Sequence, residues 1–362
     1  VTIVGARPQF IKASAISRAI AQFNNNSNKK ITEVIVHTGQ HYDNNMSDIF
    51  FEELNIPLPE YNLEISGGTH AQMTARMMES IEKVFICEKP DCVLIYGDTN
   101  STLAAALVAA KIYIPIVHIE AGLRSFNMKM PEEVNRILAD RVSSILFCPT
   151  ELAVKNLKIE GISKGVFNVG DVMYDVSQHY KDIAKSKSNV TTELGVKEKE
   201  FVLATCHRAE NTDSPDRLKE ILQALSDIGE RLPLIFPVHP RTKKVIADCG
   251  FSKYLENLIT TEPLPFLDMI ALEQDAIAIL TDSGGVQKEA FFYNTPCITL
   301  RDETEWVETV ELGWNQVVGA ERARIVSAFN NKDMHQDIDQ YKPYGDGFSA
   351  RKIIQKIFDI LT

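Results

Sequence analysis

Ala276–Ala290 reads AIAILTDSGGVQKEA, and its punctuation decides the fold. The apolar run Ala276–Leu280 has the length and content of a buried parallel strand. It ends in the small polar turn Thr281-Asp282-Ser283-Gly284-Gly285. Helical spacing then begins, with Val286, Ala290 and Phe291 expected on one face and Gln287 and Lys288 on another. A strand, a glycine turn and a helix start together present bare backbone N–H groups and the positive end of a helix dipole to an anion. Ser283 is placed to cap the helix and to donate its hydroxyl to a phosphate. Paired glycines let a phosphate approach the backbone where a Cβ would block it. Glu289 lies about one and a half turns beyond Ser283, where a carboxylate can take two hydroxyls of a ribose. An ordinary tight turn between strand and helix would use the same residues, so the rest of the chain decides between the two readings.

The chain has 362 residues, enough for two domains of ordinary size. With 44% apolar and 24% charged residues, it is expected to be a soluble protein with a substantial core. No apolar run approaches the roughly 20 residues of a membrane helix. A net charge of −11 argues against a general nucleic-acid or anionic-membrane surface, so an anionic ligand would need a local cluster of cations and helix ends. The six cysteines, at 87, 92, 148, 206, 249 and 297, are scattered without a CxxC pair and lie mostly in apolar runs. Reduced, buried thiols of a cytoplasmic protein are expected, and a metal site is not. The chain opens at Val1 inside what reads as a strand, so a few residues are expected ahead of it.

Outward from the Ala276 strand, the same alternation covers the whole chain. Val1–Val4 reads as a strand and Gly5-Ala6-Arg7-Pro8 as a turn into a helix, with Ile11, Ala15, Ile16, Ala19 and Ile20 at helical spacing. Arg7 and Lys12 sit at the positive end of that helix, which is unfavourable unless an anion lies between them. Asn24–Lys30 reads as a polar loop, Ile31–Val36 as a strand and Met46–Leu54 as a helix. Another helix opens at Gly67-Gly68-Thr69-His70. Strands at Pro90–Tyr96, Pro115–Ile119 and Ser144–Cys148 follow, with a helix opening at Pro131. Residues 171–200 are weakly patterned and read as a connecting helix and a linker. Strands are then expected at Phe201–Thr205, Leu234–Val238, Leu258–Thr260, Ala276–Thr281 and Cys297–Leu300, and a last helix at Ala350–Leu361.

Parallel sheets bind ligands at the carboxyl ends of their strands, and the unusual polar residues of this chain follow strands: Arg7, Gln40, Asp98, Glu120, His207, His239, Ser283 and Arg301. His207-Arg208-Ala209-Glu210-Asn211 places an imidazole, a cation and a carboxylate in one turn. Cys206 beside His207 is a poor nucleophile candidate, because adjacent side chains leaving a strand point apart. Glu132 and Arg136, four apart on one helix, are expected to pair. The pattern predicts an α/β protein with two Rossmann-like, doubly wound domains facing a cleft, of the glycosyltransferase-B type. The expected domains are residues 1–170, completed by the C-terminal helix at 345–362, and residues 171–344.

The motifs GARPQFIK, HTGQH, YGDTNST, HIEAGLRS, PEEVNR, HRAEN, PVHPR, TDSGGVQKEA and LRDETEW occur in that order over essentially the whole chain. Together they resemble the non-hydrolysing UDP-N-acetylglucosamine 2-epimerase family. The resemblance implies a homodimer, a UDP-sugar substrate, and neither a nicotinamide cofactor nor an essential metal. It also implies an isomerase of cytoplasmic nucleotide-sugar metabolism that supplies surface-polysaccharide or lipopolysaccharide synthesis. Arg7, His207, Phe266, Ser283, Gly284, Gly285 and Glu289 match the family's UDP-binding positions. Lys12, Asp98, Glu120, Glu132 and Arg136, with His207, match its catalytic positions. The implied reaction inverts C2 of the sugar by eliminating UDP across C1–C2 to a bound 2-acetamidoglucal and adding it back. Alternatives are a hydrolysing epimerase, a transferase of the same fold and a binding module.

Three departures qualify the resemblance. The Glu120–Glu132 segment reads two residues shorter than in the UDP-GlcNAc enzymes, and Trp306-Val307 stands where those carry Arg-Pro. Gly67-Gly68 replaces the Arg-Gln of activated bacterial members, although Gln40, His41, Arg208, His239 and Arg301 remain as candidates for a second site or the cleft. ARPQFIKAS, GGTHAQMT, SFNMKMPEE and NVGDVMYD are similar to the branch acting on UDP-2,3-diacetamido-2,3-dideoxy-glucuronate. A uronate needs an extra cation, for which Lys129 and Arg124 are the candidates.

Overall fold

The computed structural model of the chain describes residues 1–40, 54, 56–332 and 341–361. His41 and all but Leu54 of the helix expected at Met46–Leu54 lie outside the described residues. The chain divides into two compact units, Val1–Val176 with Pro343–Thr362, and Ser177–Lys342.

The first unit is built on a parallel sheet of β1 (Thr2–Val4), β2 (Ile35–His37), β3 (Tyr61–Asn62), β4 (Val93–Tyr96), β5 (Ile116–Ile119), β6 (Ile145–Cys148) and β7 (Val166–Asn168). Their order is β3-β2-β1-β4-β5-β6-β7. The central strands β1, β4, β5 and β6 are buried at every position, because helices cover both faces. Met77, Ile81 and Phe85 of the helix His70–Glu88 pack with Ile3, Val93 and Ile95, and with Ala104, Ala105 and Val108 of the helix Asn100–Lys111. Alanines on the second helix allow close approach, and each large side chain so buried contributes about 1.5–3 kcal/mol. The last helix, Ser349–Leu361, belongs to this unit. Asp175 accepts the Ser349 and Ala350 backbone N–H groups at 3.0 and 2.7 Å, and Phe358 packs on Phe23 with ring centroids 4.9 Å apart.

The second unit repeats the plan with β8 (Val202–Thr205), β9 (Leu234–Pro237), β10 (Ile259–Thr261), β11 (Ala278–Thr281), β12 (Cys297–Thr299) and β13 (Asn315–Val317). Their order is β10-β9-β8-β11-β12-β13, again parallel. Leu218, Ile221, Leu222 and Leu225 of the helix Pro215–Gly229 cover Val202, Ala204, Leu234, Phe236, Ala278 and Leu280. In each unit the strand order reverses beside the first strand, between β1 and β4 and between β8 and β11. That switch is where a doubly wound sheet opens a crevice at its carboxyl edge.

Several expectations are corrected. Edge strands β3, β7 and β13 carry no continuous apolar run and were not expected; they are short and only partly buried. The first helix runs from Arg7 to Asn26, through the start of the expected polar loop. Residues 171–200 hold the expected connecting helix, Val172–Lys187, and a short helix, Val190–Glu193, where only a linker was expected. Of the six cysteines, Cys148, Cys206 and Cys297 are buried, whereas Cys87 is exposed and Cys92 and Cys249 are half-buried. On the helix Gly284–Phe292, the polar residues Gln287 and Lys288 turn inward. Both are buried: Gln287 Oε1 accepts from Thr304 Oγ1 at 2.6 Å and Asn315 Nδ2 at 3.2 Å, and Lys288 Nζ lies 4.0 Å from the Trp306 ring centroid.

Candidate functional site

In the first unit the switch joins the turn after β1 to the turn after β4. Gln9 makes the joint from a fully buried position. Its Oε1 accepts the Gly5 and Ala6 N–H groups at 2.9 and 3.2 Å, and its Nε2 donates to the Tyr96 carbonyl, Thr99 Oγ1 and Thr102 Oγ1 at 2.9–3.0 Å. One turn later on the same helix, Lys12 forms a buried ion pair with Glu120, both side chains only 10% exposed. The anion expected between Arg7 and Lys12 is thus supplied to Lys12 by the chain itself. Breaking a buried pair by removing one partner costs about 3–5 kcal/mol. Glu120 leaves β5 with φ +70°, a left-handed conformation that costs a non-glycine residue roughly 1–2 kcal/mol and tends to occur at functional sites.

Asp98 lies beside this pair. Gly97, at φ +60°, precedes it, and a Cβ on Gly97 would stand 3.2 Å from Glu120 Oε2 and 3.4 Å from Lys12 Nζ. Arg136 donates to Asp98 through Nη2 and to Glu133 Oε2 through Nη1 at 3.0 Å. The expected Glu132–Arg136 pair is therefore corrected. Glu133, not Glu132, is the buried partner, and it also accepts the Ser125 and Phe126 N–H groups at 2.9 and 3.0 Å. Glu132 is half-buried at the helix start. The first unit thus gathers two carboxylates, each answered by a cation, at the carboxyl ends of β4 and β5. Gln40 stays within this cluster, its Oε1 accepting Ser101 N and Oγ at 3.1 and 2.8 Å.

Arg124 is not available to a uronate. It is buried, with Nη1 on Asp140 Oδ2 at 2.7 Å and Nε and Nη2 on the Glu160 carboxylate at 2.6 and 2.8 Å. Lys129 is exposed.

In the second unit Asp282 organises the switch. It is fully buried and accepts the His207 N–H at 2.9 Å, the Arg208 N–H at 2.9 Å and Asn211 Nδ2 at 3.1 Å. His207 Nδ1 stands 3.6 Å from the same carboxylate, and its ring faces that of His239 at 5.7 Å. His239 caps the helix Pro240–Asp248 by accepting the Arg241 N–H at Nδ1, which leaves Nε2 to carry the proton. Desolvation, then the Arg241 charge, lower its pKa against the pull of Asp282. Ser283 caps the helix Gly284–Phe292, Gly285 is exposed and Glu289 half-buried. This helix start, with Arg208 and His207 beside it, can hold a diphosphate. Gly284 lets the Glu305 carboxylate approach this helix start, since a Cβ there would stand 2.7 Å from Glu305 Oε1.

Arg301 is corrected as a cleft cation. It is buried and ion-paired to Glu305 Oε2 at 3.0 Å, so it positions Glu305 against Gly284. Phe266 is a core group, its ring edge-on to Tyr180 at 5.3 Å. Cys206 is buried and its thiol pKa is pushed well up by burial, then by Asp282, so it is no nucleophile. Sequence reasoning missed Gln9, Glu133, Asn135, Asp282 as an acceptor, and Glu305. All five lie inside quoted motifs as polar residues near strand or helix ends, and that was the available signal. Among the described residues no group of three His, Cys, Asp or Glu side chains could hold a metal ion, and no helix is long and apolar enough to cross a membrane.

A model of the UDP-N-acetylglucosamine 2-epimerase family matches residues 24–358. The chain is 51% identical over 358 residues to the UDP-2,3-diacetamido-2,3-dideoxy-D-glucuronate 2-epimerase of Pseudomonas aeruginosa, covering 98% of both chains. It is 45% identical to a UDP-N-acetylglucosamine 2-epimerase of Methanocaldococcus jannaschii, covering 98% of this chain and 97% of that one. Its structure is similar to a crystal structure of the M. jannaschii UDP-GlcNAc 2-epimerase in complex with UDP-GlcNAc and UDP, with a TM-score of 0.90 and 43% identity over 99% of each chain. With matches this long and this similar, the chain belongs to the UDP-N-acetylglucosamine 2-epimerase family.

Proposed function

We propose that this chain inverts C2 of a UDP-linked 2-acetamido sugar without net hydrolysis, with UDP-2,3-diacetamido-2,3-dideoxy-D-glucuronate as its substrate. The observation that carries the reaction is the pair of cation-answered carboxylates, Asp98 with Arg136 and Glu120 with Lys12, at adjacent strand ends of one sheet. The C2 proton is not next to a carbonyl, so its direct removal as a carbanion is prohibitively costly. Elimination avoids that: a carboxylate takes the C2 proton, the C–H electrons form C1=C2, and the C1–O bond breaks to release UDP within the site. Return of UDP to C1, with a proton delivered to the opposite face of C2, completes the inversion. Two faces require proton carriers on two sides, the task this reading gives to Asp98, Glu120 and Glu132. The departing diphosphate gains charge as the C1–O bond breaks. The Ser283–Gly285 helix start, Arg208 and His207 would stabilise it, while Glu289 would take the ribose hydroxyls.

The 51% identity to the Pseudomonas aeruginosa enzyme supports the uronate substrate. A second reading, UDP-N-acetylglucosamine, is favoured by the 45% identical M. jannaschii relative. Incubating the full chain with each UDP-sugar and separating products by anion exchange decides between them. The expected result is the C2 epimer of the uronate with at least tenfold preference over UDP-GlcNAc, and no accumulation of UDP. Faster turnover of UDP-GlcNAc would overturn the substrate assignment. UDP and free sugar accumulating with turnover would place the chain with the hydrolysing epimerases.

A further inference from the structure

His118 lies on β5, two residues before Glu120, and is completely buried. Its Nδ1 faces Asp140 Oδ1 at 2.7 Å and its Nε2 faces the Gly97 carbonyl at 2.8 Å. A carbonyl can only accept, so Nε2 carries a hydrogen. Burial disfavours the Asp140 charge, but His118 and Arg124 outweigh it and hold the carboxyl below its usual range, so Nδ1 also faces an acceptor. Both ring nitrogens thus face an oxygen acceptor. Asp140 is itself fixed by two more donors, the Gly122 N–H at 3.1 Å and Arg124 Nη1 at 2.7 Å, both on Oδ2, and Arg124 in turn grips Glu160. One buried network therefore ends in a single hydrogen bond to the peptide carbonyl that precedes Asp98.

The carbonyl on the other side of Asp98 is held as well. Asn135, buried on the helix Pro131–Val142, donates Nδ2 to the Asp98 carbonyl at 2.8 Å and lies within 3.3 Å of Asn100 Oδ1. Arg136, the next residue, takes the Asp98 carboxylate. Gly97 is in the left-handed region, where a peptide can turn over readily unless something fixes its carbonyl.

We propose that His118 and Asn135 are positioning residues for Asp98: they clamp the two peptide carbonyls that flank it and so set the direction in which its carboxylate meets the sugar. The assignment rests on Asp98 being a catalytic carboxylate, as argued above. Neither residue touches the reacting atoms, so the effect falls on kcat. A displacement of about 1 Å in a catalytic group can cost on the order of a hundredfold in rate.

Two substitutions at His118 separate catalysis from folding. A glutamine amide nitrogen superposes on Nε2 and an asparagine amide nitrogen on Nδ1. His118→Gln therefore keeps the Gly97 bond and gives up Asp140, whereas His118→Asn keeps Asp140 and gives up Gly97. With the full chain and the diacetamido uronate and UDP-GlcNAc tested in parallel, kcat of His118→Asn is expected to fall about a hundredfold, with KM and UDP affinity little changed. His118→Gln should stay within about tenfold of wild type, yet be the less stable of the two in urea, because it leaves a buried carboxylate short of a donor. A purely structural role would make kcat follow stability, and that result would overturn the proposal. Should neither variant fold, Asn135→Ala carries the test, with kcat expected to fall at least tenfold at unchanged UDP affinity; unchanged kcat would overturn the proposal. Asp98→Asn in the same assay guards the premise. If it retains wild-type kcat, the catalytic reading of Asp98 fails; if it is inactive while His118→Asn and Asn135→Ala keep full kcat, only the clamp fails.

Discussion

Replacing Asp282 by Asn tests whether one carboxylate organises the second unit's switch. Its Oδ2 accepts from His207 N, Arg208 N and Asn211 Nδ2 at 2.9–3.1 Å, and Oδ1 accepts from His207 N at 3.0 Å. An amide can present one oxygen to these donors, so its NH2 must meet at least one N–H head-on. Losing the charge on the remaining bonds costs about 1 kcal/mol, and orphaning a buried donor costs a further 1–3 kcal/mol, giving roughly 2–4 kcal/mol in all. Trp306 and Trp314 are the chain's two tryptophans, and both lie in this unit, so tryptophan fluorescence reports its unfolding. At a urea dependence of about 2 kcal/mol per molar, the midpoint should fall by roughly 1–2 M. UDP affinity, read by isothermal titration calorimetry, should fall with it, because the His207-Arg208 backbone is then loose. A midpoint within about 0.3 M of wild type, together with unchanged UDP affinity, would refute the organising role.

Glu120→Gln should nearly abolish turnover while leaving the UDP dissociation constant within about threefold, a change of less than 1 kcal/mol, because Glu120 belongs to the first unit's cluster; a large loss of UDP affinity would contradict that. Arg301→Met should destabilise the second unit by about 3–5 kcal/mol by breaking its buried ion pair with Glu305, and adding Glu305→Leu should restore much of the loss, both read from urea midpoints. Burial lowers the His37 imidazole from 6.5 to about 4, so between those pH values the unfolded chain binds a proton that the folded unit refuses. Stability is therefore retained above pH 6.5 and declines on acidification towards pH 4, by on the order of 3 kcal/mol. His37→Gln should flatten that segment of the pH profile. Finally, native protein should present Cys87 to a thiol reagent and protect Cys206, which reacts only on unfolding.

The central strands were legible because both faces are buried, which writes them as apolar runs bounded by glycine or polar turns: Val93–Tyr96, Ile116–Ile119 and Ala278–Thr281 are of this kind. Edge strands such as Tyr61–Asn62 are read from one side only and carry no such run. Site residues at strand ends were legible for a related reason, since Asp98, Glu120, His207 and Ser283 interrupt apolar patterns where a core needs none. Pairing was not legible. Helical spacing alone favours Glu132 with Arg136, but the fold turns Glu133 inward, and the one-residue difference decides which carboxylate is buried. Arg124 looked like a free cation, because its partners Asp140 and Glu160 lie 16 and 36 residues away in sequence, whereas the partner of Arg301, Glu305, stands four residues on and was readable at helical spacing. The burial of Lys288 and Gln287 was not legible either, because their partners Trp306, Thr304 and Asn315 lie 17 or more residues away in sequence.

The most direct test of elimination and re-addition is the fate of the C2 hydrogen. The full chain would be incubated in D2O with UDP-2,3-diacetamido-2,3-dideoxy-D-glucuronate, and in parallel with UDP-GlcNAc, and followed by proton NMR. The account predicts that the C2 signal of the product is replaced by deuterium as the epimer forms, with no free sugar and no UDP accumulating. Epimer formed with its C2 proton fully retained would contradict solvent-exchanging carboxylates at C2, and with them the roles given to Asp98 and Glu120.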